Sequence, residues 1–400
     1  MIYINDSSRV WHVAKVGNDG NSGHAGQYPV NLANDAKLTI GAAVSAAASG
    51  DTIIIWPGTY SETIDASSTG ANKALAIIGT HRQLCKITYP SGYNATLKIG
   101  SNTVVRNLTI EAANPNKAVE SGSASTNLVF ENCDIIGTYD GLYIYGATRV
   151  TVKDCRLKGT YDGGNMGECY DVLCERVIFE TDGAYSGSGD YRGIHVGKGR
   201  FVFRDCVFTG TQPSRAGSCG GLDLNSGTSA IPTLVVCENC IMTASGSSTN
   251  GYIFGVRVQN YGRLVLKNCS IFTTAGAGTA TDIRQTGSGQ VIVNACAYNP
   301  STVTGTITNQ DSNWASAMAV ALFTNGAANK LKIDAVGRVD AGSVEGINAE
   351  SLQKVAKMLL NKAVQDKLTG AIRYYDDDGQ TVILTHTPDE GESSLTRAVS

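Results

Sequence analysis

The chain has 400 residues, a formal net charge of −3 and only 17% charged residues, with no dense Lys/Arg block, so nothing draws it electrostatically to nucleic acid or to an anionic membrane. Its 46 Gly and its abundance of Thr, Ser, Asn and Val favour short strands and tight turns, which predicts an all-β fold for most of the length. No segment approaches 18 uninterrupted apolar residues and the start, MIYINDSSRVWHVAKV, lacks the basic-then-apolar order of a signal peptide, so no membrane insertion and synthesis in the cytoplasm are expected. Eleven cysteines, an odd number in a long chain read as unexported, are expected to be reduced thiols rather than a disulfide framework.

Residues 1–35, with the turn-rich GNDGNSGHAGQYP, read as a lead-in rather than a docking domain. Residues 36–65, AKLTIGAAVSAAASGDTIIIWPGTYSETID, give an apolar helix-like run, a turn at Ser49-Gly50-Asp51, a strand, and a second turn at Pro57-Gly58. A phrase then repeats: apolar, any residue, Asn or Asp, Cys, any residue, apolar. It reads VFENCDI at Cys133, VKDCRL at Cys155, FRDCVF at Cys206, VCENCIM at Cys240, LKNCSI at Cys269 and VNACAY at Cys296, with Leu108 and Val177 in the cysteine place of two variants. The steps are 25, 22, 22, 29, 34, 29 and 27 residues, which is the length of one solenoid unit.

Alternation within the phrase is expected to send the cysteine and its apolar neighbours to one face and the polar residues to the other. Stacked coils then place Leu108, Cys133, Cys155, Val177, Cys206, Cys240, Cys269 and Cys296 in one internal column, packing as small hydrophobes. On a single strand, Cys237 and Cys240 of the CxxC point to opposite faces, so no metal site is expected there. A second strand precedes each phrase, as GLYIY, GIHV, GLDL, GVRV and a looser TDIR. Its alternation buries Leu142, Ile194, Leu222 and Val256 and sends Tyr143, His195, Asp223 and Arg257 outward.

After Cys296 the repeat stops. Residues 312–350 are expected to form short strands, AESLQKVAKMLLNKAVQDKL an amphipathic helix, and AIRYYD with TVILTHT a hairpin across Asp377-Asp378-Gly379-Gln380. Asp376, Asp377 and Asp378 read as turn residues only.

The order of the cap, TIGAAVSAAASGDTIIIWPGTYSETI, followed by these coils resembles pectate-lyase-like right-handed β-helix proteins, over residues 36–311. That resemblance implies a right-handed parallel β-helix solenoid with an N-terminal helical cap, followed by a small C-terminal α+β module at 312–400. The superfamily includes polysaccharide lyases, glycoside hydrolases, virus tailspikes and non-enzymatic adhesins, so it implies a fold more than an activity. Residues 354–400 look like a C-terminal module of tailed-bacteriophage virion proteins. This likeness implies a homotrimeric fibre, spike or neck/collar component for host attachment or particle decoration, in contact with other virion proteins and a host surface polysaccharide. The alternatives are a polysaccharide depolymerase, lyase or hydrolase, acting in a groove on the β-helix, and a non-enzymatic glycan-binding adhesin.

A lyase of this superfamily needs clustered acids for calcium and an arginine base, and a hydrolase needs converging carboxylates. Neither set is apparent. His195, Asp223 and Arg257, about 5 Å apart on successive coils, are the candidate catalytic residues, and Tyr143 and Tyr145 the candidate glycan-binding ones. Alanine at His195 or Asp223 is expected to abolish any cleavage and to spare assembly. Asp162, Glu168, Asp171, Asp182 and Asp190 fall in glycine-rich stretches read as turns, without the order of a calcium loop. No metal or cofactor is expected. Tyrosines 139, 143, 145, 161, 170, 185 and 191 crowd two coils, where exposed rings can stack on sugars.

Overall fold

A computed structural model describes residues 9–25, 30–67, 73–89, 95–113, 116–183, 189–215, 217–226 and 233–309, together with three strands between 363 and 386. The chain divides into two compact units, 1–311 and 312–400. The first is a right-handed parallel β-helix.

One face of the solenoid is a 12-stranded parallel sheet that runs from Val10–Val13 through Thr52–Ile55 and Thr126–Glu131 to Ile307–Asn309. Its first rung lies inside the stretch read as a lead-in: Val10 to Val13 pair in register with Thr52 to Ile55, and Val10 and Val13 are buried. A second face follows the repeat phrase, with strands such as Asp134–Ile136 and Ile178–Thr181. A third carries Lys117–Ser121, Asp140–Tyr145, Asp162–Gly167, Tyr191–Val196 and Cys219–Ser226. The long strands Ile241–Asn260 and Ser270–Gln285 run through both of the latter faces and join them into one sheet.

The repeat phrase is a corner between two strands rather than one strand. Asn107, Asn132, Asp154, Arg176, Asp205, Asn239, Asn268 and Ala295 stand at φ between 50° and 55°. Asn and Asp enter this left-handed region at least cost among residues with a side chain, which is why they precede the cysteine. The reversal changes which side chains face inward. Phe130, Cys133 and Ile135 are all buried although strict alternation would split them. Cys237 and Cys240 both face the core, at 0% and 1% exposure, because Asn239 turns the chain between them, whereas the straight-strand reading put them on opposite faces.

The expected column is buried at every position from Leu108 to Cys269, while Cys296 is half-buried. Beside it Phe179 and Phe208 stack at 5.2 Å and Phe203 meets both edge-on. One continuous apolar core extends from Val13 to Val293. The cap helix is Ile40–Ala46. Its N-cap Thr39 accepts from Ala42 N, and Glu62 of the first coil accepts from Ile40 N (2.9 Å) and Gly41 N (2.8 Å), so its first turn is tied to the solenoid.

In the second unit Ile372–Tyr375 and Val382–His386 pair antiparallel, as the expected hairpin requires. Ala363–Gln365, read as the end of a helix, is instead a strand on the hairpin's edge, because its backbone pairs with Ile372–Tyr374. The rest of that expected helix, the strands expected over 312–350 and the turn acids Asp376, Asp377 and Asp378 lie outside the described residues.

Candidate functional site

The outward row predicted from the second strands exists and is in register: Tyr143 pairs with Asn165, Asn165 with His195, His195 with Asp223, Asp223 with Arg257, and Arg257 with Arg284. Asn165 fills a rung between Tyr143 and His195 that the sequence reading left empty. The strand Asp162–Gly167, DGGNMG, had been read as a turn.

Although they lie on this outward row, Asp223 and Arg257 are shielded from solvent by neighbouring side chains. Their side chains are 1% and 8% exposed. Arg257 grips Asp223 with two hydrogen bonds, Nε to Oδ1 at 2.8 Å and Nη2 to Oδ2 at 2.7 Å, and its Nη2 also pairs with Asp190. Gln259 donates to Asp223 Oδ1 at 3.1 Å, and Arg192 Nη1 donates to Oδ2 at 3.2 Å. Asp190 Oδ1 in turn accepts from Ser218 N. Burial alone would raise the Asp223 carboxyl, but hydrogen bonds from Arg257 and His195 and the charges of Arg257 and Arg192 hold it well below the usual carboxylate range.

A second carboxylate is locked in the same way. Asp162, fully buried, accepts from Arg192 Nε at 2.8 Å and Nη2 at 2.9 Å, and Arg192 lies over the ring of Tyr161. Asp140, the register partner of Asp162 on the preceding coil, is 1% exposed with neither carboxyl oxygen hydrogen-bonded. Burial, and then the charge of Asp162, push its carboxyl well above the ordinary value.

His195 sits between these groups. Its Nδ1 is 3.0 Å from Arg192 Nη1 and 3.3 Å from Asp223 Oδ2, and its side chain is 19% exposed. It opens onto a groove of about 570 Å³ whose wall carries Tyr139, Tyr143, Tyr145, Tyr161, Asn165 and Lys198, among others. Tyr139 and Tyr161 stack at 4.7 Å with planes 7° apart, and Lys117 covers the ring of Tyr143. Tyr145 is 44% exposed. A Cβ at Gly167 would come within 2.8 Å of the Tyr145 ring, so glycine on the neighbouring rung makes room for it.

The structure therefore brings together Tyr143, Tyr145, His195, Asp223 and Arg257, and adds Asp140, Asp162, Asp190, Arg192 and Asn165. Sequence reasoning missed Arg192 and Asp162 as site residues. Aligning the coils on the glycine near the start of each second strand would have found them, because Asp140, Asp162 and Arg192 all precede the glycines at 141, 163 and 193. Among the described residues no group of His, Cys, Asp or Glu is arranged to hold a metal ion.

The fold and its groove define a right-handed parallel β-helix with a polar, tyrosine-lined face. Residues 79–233 match the family described as a right handed beta helix region. Among solved structures the chain is similar to pectin methylesterase from carrot, at 14% identity over 75% of this chain and 87% of that one, with a TM-score of 0.41. It is similar to pectate lyase Pel9A at 13% identity, over 90% and 92% of the two chains, with a TM-score of 0.42. The enzymatically active domain of tailspike protein 2 from bacteriophage CBA120 matches at 13% identity with a TM-score of 0.46, over 67% of this chain and 43% of that one. At such identities the likeness is one of fold alone. No curated protein matches the chain.

Proposed function

We propose that the β-helix is a glycan-binding attachment protein, built as a homotrimeric appendage of a tailed-bacteriophage particle, which holds a host surface polysaccharide in the groove without cleaving it. The observation that carries the binding half is the open groove lined by four tyrosines, beneath which both central carboxylates are already saturated. Ring faces and neutral polar side chains suit the hydroxyls and C–H faces of sugars. Glycoside hydrolysis needs two carboxyl groups free to reach the scissile bond, one of them able to carry a proton there. Asp162 and Asp223 are each held by two hydrogen bonds from one arginine and shielded from solvent, which leaves neither free for that work.

One observation favours the competing depolymerase reading: His195 is oriented by Asp223 and partly open to the groove, the arrangement of a positioned general base. Both readings are tested together by mixing the protein with purified bacterial capsular and lipopolysaccharide chains, and by measuring retention and the release of new reducing or unsaturated ends. Retention without product, lost in the Tyr143→Ala/Tyr145→Ala double variant, is the expected result. Product that disappears in His195→Ala would establish the depolymerase instead.

The virion half rests on the likeness of residues 354–400 to phage virion modules. Light scattering on the intact chain and on residues 1–311 addresses it: a trimer that becomes a monomer on truncation is expected, and an intact monomer would remove the proposal of a trimeric appendage.

A further inference from the structure

Charge accounting around the groove indicates what kind of glycan it takes. Lys198 on the wall pairs with Glu168 at 3.2 Å, and Lys117 above Tyr143 pairs with Glu120 at 2.8 Å. Arg192 has all three nitrogens engaged, Nε and Nη2 by Asp162 and Nη1 by Asp223. Arg257, behind it, is held by Asp223 and Asp190. Each of the four cations, Lys117, Lys198, Arg192 and Arg257, is thus paired with one or more of five carboxylates, Glu120, Glu168, Asp162, Asp190 and Asp223, so no unpaired positive charge is left among them.

We infer that the groove is built for an uncharged polysaccharide, an inference that rests on the glycan-binding reading above. A carboxylated or sulfated chain gains no attraction from a wall whose cations are each neutralised in place. To reach Arg192 it would have to displace a buried carboxylate and leave that charge uncompensated. Beside the Lys198–Glu168 pair and the paired Arg192, the wall presents uncharged groups: the tyrosine rings of 139, 143, 145 and 161 and the amides of Asn165 and Asn225. Arg284, the next residue of the row, makes no ion pair among the described residues, but it lies over Tyr252 and is not part of this wall.

The test uses the full-length chain on an array of immobilised polysaccharides, with neutral glucans, galactans and mannans beside uronate-, sialate- and sulfate-bearing chains. Binding to neutral chains is expected, changing less than about twofold between about 50 and 500 mM NaCl, because screening has little net attraction to remove. Binding confined to acidic chains, or an affinity that falls tenfold or more over that range, overturns the inference while leaving glycan binding intact. Absence of binding to every chain removes the glycan-binding reading itself. Glu168→Gln supplies a second readout: freeing Lys198 is expected to create salt-sensitive retention of uronate chains, and no such gain would count against the charge-matched wall.

Discussion

Asp140 is the residue whose environment makes the sharpest prediction about pH. Its folded-state carboxyl is raised by burial and by Asp162, so its contribution to stability is fully present below the ordinary carboxylate value and is lost as pH rises towards the raised one. In the isosteric Asp140→Asn variant that loss disappears. Denaturant titrations across pH are expected to show the variant gaining on the natural chain by about 1.4 kcal/mol per pH unit between the ordinary carboxylate value and the raised one, and levelling off above it. A gap that stays flat with pH would show that Asp140 holds no such proton. Asp223 has the opposite sign: its depressed pKa makes its contribution present above the ordinary value and lost only as pH falls through the lower folded one. Because two buried arginines depend on it, Asp223→Ala is expected to destabilise the fold by about 3–5 kcal/mol. The simpler expectation from sequence, a loss of any activity with assembly spared, therefore does not carry over to Asp223. The burial of Asp223 and Arg257 was illegible in their own strands. Their partners Asp190 and Arg192, and Asp162 behind Arg192, come from coils whose glycine-rich text hides the alternation that marks a strand.

At the scale of the elements, the corner decides the coil. The column from Leu108 to Cys296 is legible because one apolar residue recurs at each step, and the outward row because glycine stands two places before Tyr143, His195, Asp223 and Arg257. What could not be read was the bend within the phrase, since period-two alternation and a left-handed corner give similar short strings of apolar and polar letters. The corner also has an energetic signature. Most of its positions hold Asn or Asp, and side chains there bridge successive coils, as from Asn132 to Asn107 at 2.9 Å and from Asn239 to Asp205 at 3.2 Å. A β-branched residue pays the full left-handed penalty, so Asn239→Val is expected to cost about 1–2 kcal/mol or more. Ala295→Asn, at φ 50°, should instead stabilise, by roughly half to one kcal/mol. Equal effects of the two substitutions in thermal melts would argue against corner strain as their cause.

Over the whole molecule, the eleven cysteines serve as reporters of the core. Ten are buried and Cys296 is half-buried. Burial raises the thiols of Cys174 and Cys237 well above the ordinary value and pushes Cys219 up to about 12, so at these three positions the nucleophilic thiolate is scarce where access is also poor. A chromogenic disulfide reagent at neutral pH is expected to label at most Cys296 in the native protein and all eleven thiols in guanidinium. Fast labelling of several native thiols would contradict the continuous core.

The stacked corners have a further, evolutionary consequence. Because each coil is placed by its left-handed corner and by pairing with the rung before it, its total length is free to vary, as the steps of 22 to 34 residues between column positions illustrate. Insertions and deletions in the connecting turns can then be inherited one coil at a time without shifting the register of the others. A lineage carrying this scaffold could remodel the rim around its groove repeatedly without moving the buried arginine–carboxylate floor out of register.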